Sequence, residues 1–282
     1  MTLLTVRRLL VDLDTPLARR WNGGDAFRTA FFNALSMSFP AGEQIFIDAV
    51  KRGVAALPEA ARERFAAEVQ AFIGQEATHR RIHQRFNEHL ARQGLVNAWE
   101  GRILRRRRML ETLDTRIWVG VTAATEHWTA ILAQHLLAHP AVFAGAEQRL
   151  VDLWHWHAAE ELEHRSTAFD LYQALGGNHE WRVRLFRIVS WHFVTDALRQ
   201  TLRNLWVDGS WWRASTWIGG WRLLFGASGL VRHGVGPWRR YLARDFHPAQ
   251  DDGAAGQRWL AEHAQLAPPV RADRWAGQDA PA

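Results

Sequence analysis

The chain contains no cysteine, which excludes disulfides, thiolate zinc sites and iron–sulfur clusters. Any metal must then be held by His and carboxylate, a donor set that favours iron, manganese or zinc. Lysine is nearly absent too: Lys51 stands alone, and arginine carries almost all of the positive charge. No uncharged apolar run approaches the roughly 20 residues that a membrane-spanning helix needs. The opening Met1-Thr2-Leu3-Leu4-Thr5-Val6-Arg7-Arg8 lacks the apolar core of a signal peptide, and Asp12 and Asp14 follow closely. These absences point to a cytoplasmic, non-transmembrane protein. The length of 282 residues allows a sizeable core. The net charge of +6 is unevenly spread, because residues 181–245 hold eleven Arg against only Asp196, Asp208 and Asp245, together with eight of the sixteen Trp.

Hydrophobic periodicity reads as all-α throughout residues 25–177. Residues 3–21 are expected to form a short amphipathic helix (Leu3, Val6, Leu9, Leu10, Leu13, Leu17), giving an N-terminal helical arm over 1–24. A helical run from Asp25 reaches Phe39, Pro40 opens a new first turn, and the helix continues toward Val54; a second runs from Pro58 to about Gln93. A connecting helix over 95–111 carries the basic run Arg105 to Arg108. A further helix runs from Asp114, an N-cap candidate, to His139-Pro140. The next spans roughly Gly145 to Leu175 as one piece, ending at Gly176-Gly177. These give a four-helix bundle over 25–177, a C-terminal Trp/Arg-rich helical cap over 178–266, and a disordered tail over 267–282.

Four of these helices share one anomaly: ionisable groups stand inside apolar stripes. Glu43 lies among Phe39, Phe46, Ile47 and Val50, and Glu126 among Val119, Ala123, Ala130 and Ala133. The second helix carries Glu76-Ala77-Thr78-His79, and the fourth Glu161-Leu162-Glu163-His164. Random placement of 15 Glu and 14 His gives about 0.7 Glu-x-x-His pairs, so two alone discriminate weakly. Spacing discriminates better, since Glu43 to Glu76 and Glu126 to Glu161 are each separated by about one helix, a turn and the return to the same depth. Glu from two helices plus Glu-x-x-His from two others is how ferritin-like bundles chelate two cations. Glu43, Glu76, His79, Glu126, Glu161 and His164 are therefore the expected metal ligands, with Glu160 an alternate to Glu161. His83 and His157 lie near the site as catalytic or ligand-orienting candidates.

At these residues the sequence resembles the bacterial predicted metal-dependent hydrolase family. The matching segments are Phe32-Asn33-Ala34-Leu35-Ser36 through Pro40-Ala41-Gly42-Glu43, Gln75 to His79 with His83, His157 to His164, and Asp245-Phe246-His247-Pro248. The resemblance covers about residues 25–250 and implies a dimetal-activated water. The ligand chemistry itself is also that of di-iron oxidases and oxygenases. The expectation is thus a dimetal enzyme, with two divalent ions per chain and iron preferred over manganese or zinc. Such an enzyme would oxidise an apolar, lipid-like substrate, with hydrolysis as the alternative and a non-catalytic metal-binding bundle as the third reading. The partners that follow are a small apolar substrate, an electron-donor protein, a second copy of the chain, and an anionic membrane surface met by residues 181–245. Nucleic acid is not expected, because the Arg residues are interleaved with a heavy apolar load.

Overall fold

The structure, a computed structural model, describes residues 4–270, and within them the secondary structure is helical apart from two isolated bridges. The elements are α1 (Ala26–Ala55), α2 (Glu59–Arg92), α3 (Ala98–Glu111), α4 (Thr115–Ala138), α5 (Gln148–His164), α6 (Thr167–Ala174), α7 (His179–Asp208), α8 (Ala214–Phe225), α9 (Leu230–Arg240) and α10 (Ala254–Glu262). The all-α expectation holds. Among the described residues no helix is long and apolar enough to cross a membrane.

Local sequence explains where several of these helices start and bend. Asp25 and Asp114 cap α1 and α4 by accepting hydrogen bonds from the N–H groups of Arg28 (2.9 Å) and Arg116 (2.8 Å). Pro40 lies inside α1 and has no N–H to give the carbonyl of Ser36. Asn87 of α2 donates to that carbonyl instead (2.9 Å), and Asn97 donates to the carbonyl of Met37 (2.7 Å). The proline thus ties α1 to its neighbours through the backbone groups it frees.

Helices α1, α2, α4 and α5 pack in a ring, α1 on α2 and α4, α5 on α2 and α4. Their contact faces close over Phe32, Phe65, Phe72, Phe86, Leu150 and Trp156, all fully buried. Helix α7 lies across α1 and α4. Gly120 permits the close approach, since a Cβ there would stand 2.6 Å from Leu185 Cδ1 of α7 and 2.9 Å from Tyr172 of α6.

Three expectations are corrected. Residues 4–24 form no helix: they run as an extended arm over the bundle, burying Leu9, Leu13, Leu17 and Trp21. Their spacing of four imitates a helical stripe, but Asp12 turns the chain by accepting from the N–H groups of Asp14 and Thr15, and Pro16 follows. The helix expected over 145–175 is interrupted after His164, where α5 ends and α6 begins at Thr167. There Arg165 binds the carbonyls of Leu162, Pro248 and Asp251, fastening the break to the C-terminal segment. Finally, residues 267–270 of the expected tail are ordered, for Arg8 N–H donates to Pro268 O and Val270 N–H to Val6 O, and Ala267 is buried. The rest of that tail, 271–282, lies outside the described residues.

Candidate metal centre

All six expected ligands are buried, and they face one another inside the ring of α1, α2, α4 and α5. One donor atom each from Glu76, His79, Glu161 and His164 lies within 4.8 Å of the others, and the same is true of Glu43, His79 and His157. The two groups share His79. Glu126 belongs to neither: it faces His164 from α4, with its Oε2 2.9 Å from His164 Nδ1.

The partners of each ring nitrogen divide the cluster into an inner and an outer layer. His79 turns Nε2 to Glu160 Oε2 (3.0 Å) and leaves Nδ1 without a hydrogen-bond partner, 3.6 Å from Glu161 Oε1. His164 is engaged at Nδ1 by Glu126 and leaves Nε2 unpartnered, 3.4 Å from Glu76 Oε1. Both carboxylate oxygens of Glu43 and of Glu76, Oε1 of Glu126 and Oε2 of Glu161 are likewise buried without a hydrogen-bond partner among the described residues. A buried polar group left unsatisfied is expensive, and here eight such atoms sit on six neighbouring residues. This is a donor set that fits hard or borderline cations.

The alternate carboxylate, Glu160, is placed differently. Its oxygens are held by His79 and by Arg7, whose Nη1–H donates to Oε1 (3.2 Å). Arg7 also reaches Glu163, which takes a further hydrogen bond from Gln75 (2.8 Å). The extended arm therefore supplies a guanidinium that braces the back of His79.

His83 and His157 form a chain of hydrogen bonds leading away from Glu161. Asn87 spends its amide N–H on the carbonyl freed by Pro40, so its Oδ1 accepts from the Ser36 hydroxyl (2.8 Å). Ser36 Oγ then accepts from His83 Nδ1–H (2.9 Å), His83 Nε2 accepts from His157 Nδ1–H (2.7 Å), and His157 Nε2 faces Glu161 Oε1 at 2.9 Å. Every link is satisfied only if one proton lies between His157 and Glu161. Periodicity showed His83 and His157 but not Ser36 or Asn87. Two other sequence signals touch that pair: Ser36 lies in a segment of the family resemblance, and Pro40 removes the donor that Asn87 replaces.

Electrostatics agree with a site short of positive charge. Burial, reinforced by the Glu161 carboxylate, raises the Glu43 carboxyl well above its ordinary range; burial with Glu126 and Glu161 does the same to Glu76. Burial also lifts Glu160 to about 8 against the pull of Arg7. Burial holds His79 and His83 well below the ordinary imidazole value, keeping them neutral. In the Glu126–His164 pair the carboxylates of Glu126 and Glu161 overcome the burial of the ring and raise His164, so the proton resides on the imidazole. Without a cation, the buried carboxylates offset their mutual repulsion by holding protons and by pairing with the His164 imidazolium.

One side of the centre opens into an apolar cavity of about 270 Å³, reached between α3 and α7. Glu43 and Glu161 stand at its floor, and Phe39, Phe46, Ile103, Val121, Ile188 and Phe193 are among its walls. The hydroxyls that line it are already used: Ser38, Thr125 and Thr129 donate to the carbonyls of Leu35, Val121 and Glu126.

A family profile described as predicted metal-dependent hydrolase matches residues 5–252. No curated protein and no solved structure matches the chain. Since the profile spans most of the sequence, the chain belongs to that family.

Proposed function

We propose that this member of the family is a dimetal enzyme that oxidises an apolar organic substrate admitted through the cavity between α3 and α7. Glu43, Glu76, His79, Glu126, Glu161 and His164 would hold two divalent cations, iron before manganese or zinc, in a ferritin-like arrangement of ligands. The observation that carries the reading is the set of eight unpartnered donor atoms on those six residues, two of which, Glu43 and Glu161, line an apolar cavity. When bound, such a pair of ions supplies Lewis acidity and, if redox-active, electrons for oxygen chemistry.

The chain's own contribution is positional. Glu160, braced by Arg7, fixes the ring of His79 so that Nδ1 points inward, and Glu126 does the same for His164 Nε2 while keeping Oε1 free. His157 holds one oxygen of Glu161 and keeps a proton at that contact, with His83 and Ser36 behind it to take up changes in hydrogen bonding. The cavity is walled mainly by apolar side chains, its hydroxyls are already bonded, and of its polar lining residues Arg106 is ion-paired to Asp196 and His192 lies beside it, a lining that suits an apolar substrate better than a polar ester or amide.

Hydrolysis is the second reading, and the family's description favours it. Metal content and oxygen reactivity separate the two. Protein loaded with iron, reduced and exposed to oxygen should develop near-ultraviolet absorption and consume oxygen. A colourless, redox-silent protein that cleaves esters with zinc or manganese would decide for hydrolysis.

A further inference from the structure

Helix α7 is built inside out. Its buried face carries Arg182, Ser190, Asp196, Gln200, Thr201 and Asn204 beside a few apolar residues. Its outward stripe carries Trp181, Ile188, Trp191, Val194, Leu198, Leu202 and Trp206, spaced three, four and, at one point, seven residues apart, and all exposed, Trp191 to 69% and Trp206 to 65%. At 1.5 Å per residue the stripe runs about 38 Å. It continues past the end of the helix, where the Trp206 and Trp211 rings lie 5.2 Å apart and Trp212 is exposed. Soluble monomers rarely expose so long a contiguous apolar surface.

The charge beside the stripe tells what covers it. Arg184, Arg187, Arg199 and Arg203 flank it and are exposed, and of these only Arg199 makes an ion pair among the described residues, with Asp196 at 3.9 Å, while Arg184 lies over the Trp181 ring. The carboxylates of α7 are all paired: Asp196 points inward between Arg102 and Arg106 at 2.5 Å, Asp208 is held by Arg19 and Arg20, and Glu180, exposed at the start of the helix beside Trp181, is bound by Arg244 at 3.0 Å. Trp and branched apolar residues bordered by guanidinium groups match the interface of an anionic bilayer, where indoles sit at headgroup level and arginines meet phosphates. A second copy of the chain would bring the same positive rim against itself.

The substrate cavity opens on the same side. Ile188 belongs both to the outward stripe and to the cavity wall, and the opposite lip is formed by exposed Met109 and Leu113 of the α3 end. We propose that α7 docks this protein on the surface of an anionic lipid bilayer, so that the cavity takes its substrate directly from the acyl-chain region. The docking stands on the α7 surface alone; the delivery of substrate rests on the oxidation reading above.

Flotation of the full, metal-loaded chain with phosphatidylcholine vesicles, with and without phosphatidylglycerol, tests the docking. The chain is expected to float with the anionic vesicles at low salt and to detach largely at high salt. A variant combining Trp191→Gln, Leu198→Gln and Trp206→Gln should bind at least about tenfold more weakly, with unchanged circular dichroism and metal content. The pair Arg187→Gln and Arg203→Gln should lose the preference for phosphatidylglycerol. A chain that stays in solution with anionic vesicles at low salt overturns the proposal, as does a triple variant that binds as well as the parent. A stable dimer broken by Leu198→Gln, without vesicle binding, would assign the face to a second copy and also overturn it. A chain that floats but holds no metal would refute the dimetal reading and leave the docking intact.

Discussion

The bundle interior and α7 both depart from the rule that apolar groups go inside and charge outside, but in opposite senses. The interior buries Glu43, Glu76, Glu126, Glu160 and Glu161 among phenylalanines and tryptophans, while α7 turns Asp196, Gln200 and Asn204 inward and Trp191, Leu198 and Trp206 outward. Protein partners, hydrogen-bonding or ionic, distinguish most inward groups of α7 from those of the centre. Gln200 accepts from the N–H groups of Ala98 and Trp99 and donates to Val96 O, Asn204 donates to Ala30 O, and Asp196 is ion-paired to Arg102, Arg106 and Arg199. Gln200 and Asn204 are thus held by hydrogen bonds to protein and Asp196 by guanidinium groups, contacts that seat the helix. Those of the centre keep unpartnered oxygens and nitrogens, which is why we propose a ligand for the interior and an apolar phase for the outward face of α7.

The largest effect that would sharpen this contrast is on metal binding. Glu43→Ala or Glu126→Ala should lower the metal content well below two ions per chain by elemental analysis, whereas Gln200→Ala, which removes a satisfied group, should leave it unchanged. Next in size, Glu160→Gln weakens the brace on His79 and is expected to reduce metal affinity about 10- to 100-fold, read by competition with a chelator. Retention of full affinity would show that the Glu160 contact is incidental.

Removing metal should also expose a pH dependence. In the metal-free fold, Glu43, Glu76 and Glu160 have raised pKa values, and so does His164. Groups with folded pKa values above their unfolded ones stabilise the protein at low pH and lose that contribution as pH rises through the folded value. His79 and His83 act oppositely, but only below the ordinary imidazole value of about 6.5. Between about pH 6.5 and 9 the metal-free protein should therefore lose thermal stability with rising pH, and the metal-loaded protein should lose much less. Equal slopes would contradict the assignment of these groups to a cation site.

Smaller still, Gly120→Ala drives a methyl group against Leu185 and Tyr172 and should destabilise by about 1–3 kcal/mol in denaturant unfolding, with metal content retained. Smallest of all is Leu198→Gln, which should change stability in solution by no more than about 0.5 kcal/mol, because the outward stripe contributes nothing to the monomer's core. A large loss would mean that Leu198 is packed, and the contrast between the two regions would fail.

Much of the centre could be read from the chain because a lone carboxylate on an apolar helical face is conspicuous. Glu43 and Glu126 stand out in this way, and the two Glu-x-x-His pairs fix the depth at which four helices meet. What could not be read has physical reasons. Periodicity separates the two faces of α7 but does not say which one is turned out, so its inverted orientation emerges only from the packing. The stripe through His164, Ala168 and Leu171 continues across the break between α5 and α6, and Arg165, which makes the break, gives no local signal. Leu9, Leu13, Leu17 and Trp21 repeat every four residues in an extended arm, so Arg7 could not be foreseen as the residue behind Glu160.

Metal stoichiometry tests the account most directly. Chain purified from medium supplemented with iron, manganese and zinc should hold about two ions per polypeptide, and Glu43→Ala should abolish most of that content while the helical circular dichroism persists. No more than trace metal in the parent protein, with the fold intact, would contradict it.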